Sequence, residues 1–398
     1  MTVSPVRTGL RAAIPTADGW RTVELNTPRE WRLHPGPYSS RVAFAAAHVV
    51  ADPRGDNVPG APAAIDWDAT LAFRRHLFGY GLGVAEGMDT AQRNMGLDWR
   101  ATQELISRSA AQASELGGRI ASGAGTDQLP DAATAAAPAT LADVERAYLE
   151  QIAFVEGTGS QAIIMASRHL ARAAAGPDDY LTVYDRILGQ TSAPVILHWL
   201  GEVFDPQLRS YWGSTDVGEA TESFLTLVRA HADKIDGVKV SLLSAEHEIG
   251  LRHALPDGVR LYTGDDFNYP ELIRGDDHGH SDALLGAFAA IAPAASAALQ
   301  ALDDGDLARY DAELAPTLEL SRHIFEAPTF HYKVGIAFSA WLTGHQAGFQ
   351  MVGGLQSARS LPHLGRIFEL MNDARLLPDP ELAHHRLLVL AEALGAAR

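Results

Sequence analysis

The sequence predicts an α/β protein built as a (β/α)8 barrel, with an N-terminal extension and a helical C-terminal region. Short apolar runs of strand length alternate with longer stretches of helical pattern, as in repeated βα units. No glycine-rich turn follows the first run, RVAFAAA, as it would in the main alternative, a doubly wound open sheet. Beyond about residue 295 only helical patterns remain.

The predicted elements follow one another with few long gaps. The strands are placed at residues 41–47, 82–85, 119–123, 161–166, 194–199, 237–241, 259–263 and 284–288. The intervening helices are placed at residues 67–78, 99–117, 140–155, 180–188, 217–233, 244–254 and 269–274. Pro35, Gly36 and Pro37 separate this pattern from what precedes it. We therefore expect an extension at 1–40, the barrel at 41–295 and a helical region at 296–398.

Composition excludes several classes of site and partner. The 398 residues contain no cysteine, which rules out disulfides, thiolate-bound zinc, iron–sulfur clusters and a thiol nucleophile. The 32 basic and 49 acidic residues give a formal net charge of −17, which argues against nucleic acid or an anionic membrane as partner. No signal peptide and no apolar stretch of about 20 residues is evident, so a cytoplasmic location is expected.

Lysine is rare in this chain, and one lysine stands in an unusual place. The 32 basic residues include only Lys234, Lys239 and Lys333. Lys239 interrupts the apolar strand run GVKV. Burial lowers the pKa of a lysine, and a neutral amine can form a Schiff base with a carbonyl substrate. The alternative is a structural lysine buried against a carboxylate such as Asp265 or Glu86.

Other polar residues follow the predicted strands. In a parallel barrel the carboxyl ends of the strands meet at one face, which is where reactive groups are found. Candidates at these ends are His48, Glu86, Asp89, Thr126, His198, Asp265 and Asp266. We expect a site for a small-molecule substrate at this face, with no cofactor.

Two motifs resemble the dihydrodipicolinate synthase and N-acetylneuraminate lyase family. Gly237-Val238-Lys239 is similar to that family's Schiff-base lysine motif, and Thr263-Gly264-Asp265-Asp266 to the motif that ends its next strand. The resemblance implies that Lys239 forms the Schiff base and that the protein is a homo-oligomer, a dimer or a tetramer. It also implies that Lys333, within FEAPTFHYKVGIAF, lies on a structural C-terminal helix.

The chain departs from the family pattern at two places. Where the family has a Gly-Thr-Thr-Gly-Glu loop that holds a substrate carboxylate, this chain has Glu86-Gly87-Met88-Asp89-Thr90. Two acids there would repel a carboxylate and suit hydroxyl groups or a metal cation. His198 stands in place of a proton-transferring tyrosine; imidazole can take over that role, or His198 is structural.

The sequence thus predicts a Schiff-base-forming lyase or aldolase that acts on a keto-acid or a sugar-like carbonyl substrate. Lys239 and His198 are the expected catalytic residues. The expected substrate-binding residues are His48, Glu86, Asp89, Thr126 and Asp265, and no metal ligand is assigned. Two alternatives stay open. One is a metal-dependent sugar isomerase or epimerase that uses the histidines and carboxylates at the same face. The other is a barrel that binds a small molecule without catalysis.

Overall fold

Eight parallel strands close into a barrel, which confirms the fold class predicted from the sequence. The computed structural model describes residues 9–34 and 36–396. The barrel strands are β3 (Ala43–Ala46), β4 (Gly83–Glu86), β5 (Ile120–Ala124), β6 (Gln161–Ile164), β7 (Val195–Leu200), β8 (Ile235–Ser241), β9 (Arg260–Thr263) and β10 (Asp282–Leu285). Each pairs with its neighbours in chain order, and β10 closes the barrel on β3.

Helices connect successive strands, as the alternating pattern requires. They are α1 (Trp67–Gly79), α2 (Trp99–Leu116), α3 (Leu141–Gly157), α4 (Arg168–Ala173), α5 (Pro177–Leu188), α6 (Val217–Ala230), α7 (Ala245–Ala254) and α8 (Tyr269–Arg274). Several begin at a residue whose side chain accepts a hydrogen bond from a free backbone N–H of the first turn, among them Asp66, Asp98 and Thr140. Such caps fix where a helix starts and therefore how long each loop is.

Side chains alternate between the barrel interior and the layer under the helices. Phe44, Ile163, Ile196, Tyr262 and Leu284 form one buried cluster inside the barrel. Valine and leucine at neighbouring positions belong to the larger core between strands and helices. This period of two determines which residues at a strand end can reach the barrel mouth.

The N-terminal segment forms an antiparallel hairpin of β1 (Arg11–Thr16) and β2 (Gly19–Glu24). It packs on the C-terminal helices, where a Cβ at Gly365 would lie 2.5 Å from the Pro15 carbonyl oxygen. Arg21 also forms a 2.5 Å ion pair with Glu369. The two ends of the chain are therefore packed together on the outside of the barrel.

The C-terminal region is helical, as predicted. It comprises α9 (Ala287–Asp303), α10 (Leu307–Ile324), α11 (Tyr332–Leu342), α12 (Leu361–Asp373) and α13 (Pro380–Ala393). Every residue of α11 is buried, and this helix packs against the turn that follows β4. α11 therefore reaches the carboxyl face of the barrel. Within the described residues, no helix combines the length and apolar character needed to cross a membrane.

Candidate active site

Lys239 points into the barrel mouth from the carboxyl half of β8. Its neighbours Val238 and Val240 belong to the core outside the barrel, so the alternation turns Lys239 inward. Space for its side chain depends on Gly264 after β9, where a Cβ would lie 2.9 Å from Lys239 Cε. The strand thus delivers a single amine to the centre of the carboxyl face.

The Lys239 amine has no bound partner. Among the described residues, no hydrogen bond and no ion pair involves its Nζ, although the side chain is buried. Burial lowers the pKa of Lys239, and the charges of Asp89 and Asp266 act against that shift. Glu86 and Asp265, the carboxylates named in the structural alternative, bind other residues and form no ion pair with Lys239.

Two carboxylates flank this amine at different depths. Asp266 is buried, and one of its oxygens accepts a 2.8 Å hydrogen bond from the Ala287 backbone N–H. Burial raises the pKa of Asp266 to about 8, and the nearby charge of Lys239 opposes only part of that rise. Asp89 is partly exposed, lines the cavity at the mouth and makes no side-chain hydrogen bond to a described residue. Asp89 is therefore free to accept a hydrogen bond from a ligand.

His198 lies beside Lys239, since the two are paired across β7 and β8. Its Nε2 lies 3.3 Å from Ser241 Oγ, and its buried Nδ1 has no partner among the described residues. Burial, followed by the charge of Lys239, holds the pKa of His198 well below its usual value. The ring is thus a neutral imidazole with one unused nitrogen next to the amine.

Thr126 lies on the opposite side of the mouth, where it lines the same cavity as Asp89. Its hydroxyl hydrogen-bonds Ser167 Oγ at 2.7 Å and His169 Nδ1 at 2.9 Å. The cavity leaves about 30 Å³ free, which is room for about one water molecule. Arg168 also lines it and pairs with Asp205 at 2.5 Å.

Three other predicted substrate contacts bind other parts of the protein, although His48 Nδ1 is buried without a partner among the described residues. Glu86 points outward from β4 and forms a two-point ion pair with the buried Arg74, at 2.8 and 2.9 Å. His48 lies 3.0 Å from the Gln346 side-chain oxygen, and burial lowers its pKa to about 3. Asp265 accepts hydrogen bonds from the loop that follows it. The structure does not bring these three side chains together with Lys239.

A second lysine also faces the mouth. Lys333 lies on a helix, as expected, but burial lowers its pKa to about 8, and the charge of Asp89 acts against that shift. Its Nζ donates to the Phe330 carbonyl oxygen at 2.9 Å. The adjacent Tyr332 hydroxyl lies 2.7 Å from Thr90 Oγ1, one residue after Asp89. Neither residue is assigned to the site by the sequence pattern, because both lie far along the chain from the barrel strands.

The fold and site define a class: a parallel (β/α)8 barrel with a lysine at the carboxyl end of its sixth barrel strand that forms no hydrogen bond or ion pair with a described residue. A family model described as "Protein of unknown function (DUF993)" matches residues 12–396, and the chain belongs to that family. No curated protein sequence matches it.

Solved structures of the dihydrodipicolinate synthase family share this fold. YagE, a prophage protein of that family from E. coli K12 in complex with pyruvate, is 14% identical with a TM-score of 0.64, and the match covers 84% of this chain and 99% of YagE. Dihydrodipicolinate synthase from Aquifex aeolicus is 11% identical with a TM-score of 0.63, over 85% and 99% of the two chains. The resemblance noted in the sequence is confirmed at the level of the fold.

Proposed function

We propose that this protein is a Schiff-base-forming lyase or aldolase of the dihydrodipicolinate synthase type. The observation that carries the proposal is the unpaired amine of Lys239, buried at the carboxyl face of the barrel with a lowered pKa. Lowering the pKa of a buried amine increases the fraction that is neutral and nucleophilic, relative to a surface lysine. YagE, which shares the fold, is described in complex with pyruvate.

The first step is attack of the neutral Lys239 amine on a ketone or aldehyde carbon. The amine nitrogen bonds to that carbon, and the carbonyl oxygen takes up a proton to give a carbinolamine. Loss of water then leaves a protonated imine, which accepts the electron pair of a bond broken next to it. The net balance is one neutral amine, one carbonyl compound and one proton taken up from solvent, giving one protonated imine and one water.

His198 is the proposed proton carrier for these steps. Its neutral ring is adjacent to Lys239 and has a nitrogen without a partner. A neutral imidazole can accept a proton from the carbinolamine nitrogen and return it to the departing hydroxyl. Asp266, whose pKa is raised by burial, is the second group able to exchange a proton with this amine.

The substrate class follows from the groups around the amine. Asp89 has carboxylate oxygens without a hydrogen-bond partner among the described residues, and they suit substrate hydroxyl groups. Thr126 borders the same cavity, but its hydroxyl already bonds Ser167 and His169. A small hydroxylated carbonyl compound is the proposed substrate. Glu86, His48 and Asp265 are left out of the substrate contacts, because Glu86 pairs with Arg74, His48 Nε2 contacts Gln346 and Asp265 binds the loop that follows it.

Borohydride trapping tests the proposal directly. The protein is incubated with pyruvate, with a neutral ketose or with an aldose, reduced with sodium borohydride, and measured by intact mass and peptide mapping. We expect one adduct per chain on the peptide that contains Lys239, and none in Lys239→Ala. Lys234→Arg, which changes a lysine that donates to the Thr191 carbonyl oxygen away from the mouth, serves as the matched control. An adduct that maps to Lys333 would contradict the assignment of the nucleophile. So would full turnover of any identified substrate by Lys239→Ala.

A further inference from the structure

Two histidines and a glutamate converge in the C-terminal helical region, away from Lys239. His323 lies in the last turn of α10 and Glu326 two residues beyond its end, while His363 lies in the first turn of α12. One ligand atom from each lies within 4.8 Å of the others, and no other such group of three occurs in residues 9–34 and 36–396. Nothing in the proposed reaction uses these side chains.

The hydrogen bonds of His323 leave a lone pair facing a carboxylate. His323 Nε2 lies 3.1 Å from the His363 carbonyl oxygen, so this nitrogen must carry the hydrogen and donate it. In the neutral ring Nδ1 then carries no hydrogen and can only accept. It lies 3.3 Å from Glu326 Oε2, which is also an acceptor. Two acceptors at this distance repel each other unless a proton or a metal cation lies between them.

The second histidine faces the same carboxylate. His363 Nδ1 lies 2.9 Å from Glu326 Oε1, and the two imidazole rings stack with centroids 4.2 Å apart. His363 is buried, and its Nε2 has no partner among the described residues. Both Nδ1 atoms therefore face one carboxylate from two different helices, which is the donor set of a two-histidine, one-carboxylate metal site.

The surroundings leave such a site one open side. The Glu326 side chain is 48% exposed, whereas that of His363 is 6% exposed, so water can complete the coordination on the glutamate side. Arg359 lies nearby, and its positive charge would oppose the binding of a metal cation. Its guanidinium is held by the carbonyl oxygens of Glu326, Ala327 and Pro328, so part of its charge is already compensated by backbone dipoles.

We propose that His323, Glu326 and His363 bind a divalent transition-metal ion of the zinc class, with water as the remaining ligand. Nitrogen ligands from two imidazoles and one carboxylate favour Zn²⁺ and its late first-row neighbours over Mg²⁺ or Ca²⁺, which prefer all-oxygen sites. The ion would tie the end of α10 to the start of α12.

This link bears on the candidate active site through one side chain. Phe325, between two of the proposed ligands, stacks on Tyr332 with ring centroids 4.3 Å apart. Tyr332 opens α11 and precedes Lys333, which faces the barrel mouth. A metal at this place would therefore brace the segment that positions both residues, so its role is structural and does not require catalysis at the ion.

Calorimetric titration of zinc chloride into tag-free, EDTA-treated and desalted protein tests the site. We expect one Zn²⁺ per chain, with affinity reduced by more than about tenfold in Glu326→Gln and in His363→Ala. His253→Ala is the matched control, since His253 lies 3.5 Å from Asp276 in another histidine–carboxylate pair, which belongs to no group of three ligand atoms within 4.8 Å among the described residues. Its affinity should equal that of the wild-type protein.

A thermal melt keeps the test decisive if His363→Ala folds poorly. Zinc should raise the Tm of the wild-type protein and of His253→Ala but not that of Glu326→Gln, whose altered side chain is half exposed. Absence of stoichiometric binding by the wild-type protein would overturn the proposal. Equal binding by all variants would show an adventitious ion only and would overturn it as well. Borohydride trapping at Lys239 is a separate measurement, so either proposal can fail without the other.

Discussion

Lys239 and His198 are direct neighbours across two parallel strands, and both side chains point into the mouth of the barrel. The charge of the lysine lowers the pKa of the histidine, so the two groups resist being protonated together. Among the residues that the structure describes, one nitrogen of the imidazole has no partner and the amine forms no ion pair. This pairing sets the proposed nucleophile beside the proposed proton carrier, and no described carboxylate forms a hydrogen bond or ion pair with either.

The first prediction concerns the titration of the two lysines at the mouth. Reductive methylation with ¹³C-formaldehyde gives few NMR signals in a chain with three lysines, and Lys→Arg variants assign them. We expect the signal of Lys239 to titrate below the usual pKa near 10.5, and that of Lys333 at about 8. Burial of both amines is the physical cause.

Asp89→Asn provides the internal check on this prediction. The carboxylate of Asp89 raises the pKa of both lysines, so its removal should shift both titrations to still lower pH. Ordinary titration of both signals near pH 10.5 in the wild-type protein would contradict the burial of these amines. So would a shift to higher pH in Asp89→Asn.

The second prediction separates Glu86 from the active site. Glu86→Gln leaves the buried Arg74 without its charge partner, which should cost about 3–5 kcal/mol of the free energy of unfolding. Urea denaturation followed by circular dichroism measures this loss. The protein that remains folded should still form the borohydride adduct, because Glu86 does not reach the barrel mouth. Loss of the adduct with unchanged stability would instead place Glu86 at the substrate.

The sequence was sufficient to predict the barrel but not which strand-end residues face its mouth. All eight strands were placed by their apolar runs, and Lys239 stood out against a nearly lysine-free background. Glu86 and Asp265 were predicted as substrate contacts, and Asp266 was not. Tyr262 and Gly264 face the barrel interior, and the two-residue alternation of a strand places Asp266 on that same side. Side chains alternate between the two faces of a strand, so counting from an inward-facing residue such as Tyr262 would have distinguished Asp266 from Asp265.

Local sequence pattern did not assign Lys333 or Tyr332 to the site. They lie on a wholly buried helix whose apolar character indicates core packing, and the sequence contains no signal for where that helix docks. Their place depends on tertiary contacts with the turn after β4, nearly 250 residues earlier. Such long-range contacts are set by packing of the whole C-terminal region and not by spacing along the chain.

The third prediction tests the space that Gly264 leaves for Lys239. In Gly264→Ala the new Cβ would lie 2.2 Å from Ser241 Oγ and 2.8 Å from the Val240 carbonyl oxygen. The backbone of β8 cannot yield as a side chain can, so we expect a loss of about 1–3 kcal/mol in unfolding free energy. Borohydride trapping should fall as well, since the displaced atoms include Lys239 Cε.

Gly250→Ala is the matched control for that substitution. Gly250 lies within α7, where nothing approaches its Cβ position within 4 Å. Alanine favours a helix over glycine by about 1 kcal/mol, so this variant should be as stable as the wild-type protein or more so, with trapping unchanged. Equal behaviour of the two variants would show that Gly264 has no special role beside Lys239.

The fourth prediction is a loss of stability with rising pH that originates at Glu248. This buried carboxyl group on α7 accepts hydrogen bonds from Thr263 at 3.0 Å and from Ser281 at 2.8 Å. Burial raises its pKa to about 8, with a smaller contribution of the same sign from Asp265 and an opposing one from Arg252. A folded-state pKa above the unfolded value means that the native state binds more protons between about pH 4.5 and 8. Stability is therefore greatest below that window and falls across it, by up to about 1.4 kcal/mol per pH unit.

Glu248→Gln isolates this contribution, because the amide has the same shape and no proton to lose. The difference in unfolding free energy between pH 5.5 and pH 8 should be smaller in Glu248→Gln than in the wild-type protein, as measured by urea denaturation at both values. A carboxylate charged throughout this range would give parallel pH profiles for the two proteins, and Glu248 would then have no part in the pH dependence.

Because Thr263 immediately precedes the Gly264–Asp266 segment, the expected ionisation of Glu248 also acts on the loop that borders Lys239. Adduct formation in the wild-type protein should accordingly lose efficiency above pH 8 relative to Glu248→Gln, even though the Lys239 amine itself becomes more nucleophilic there.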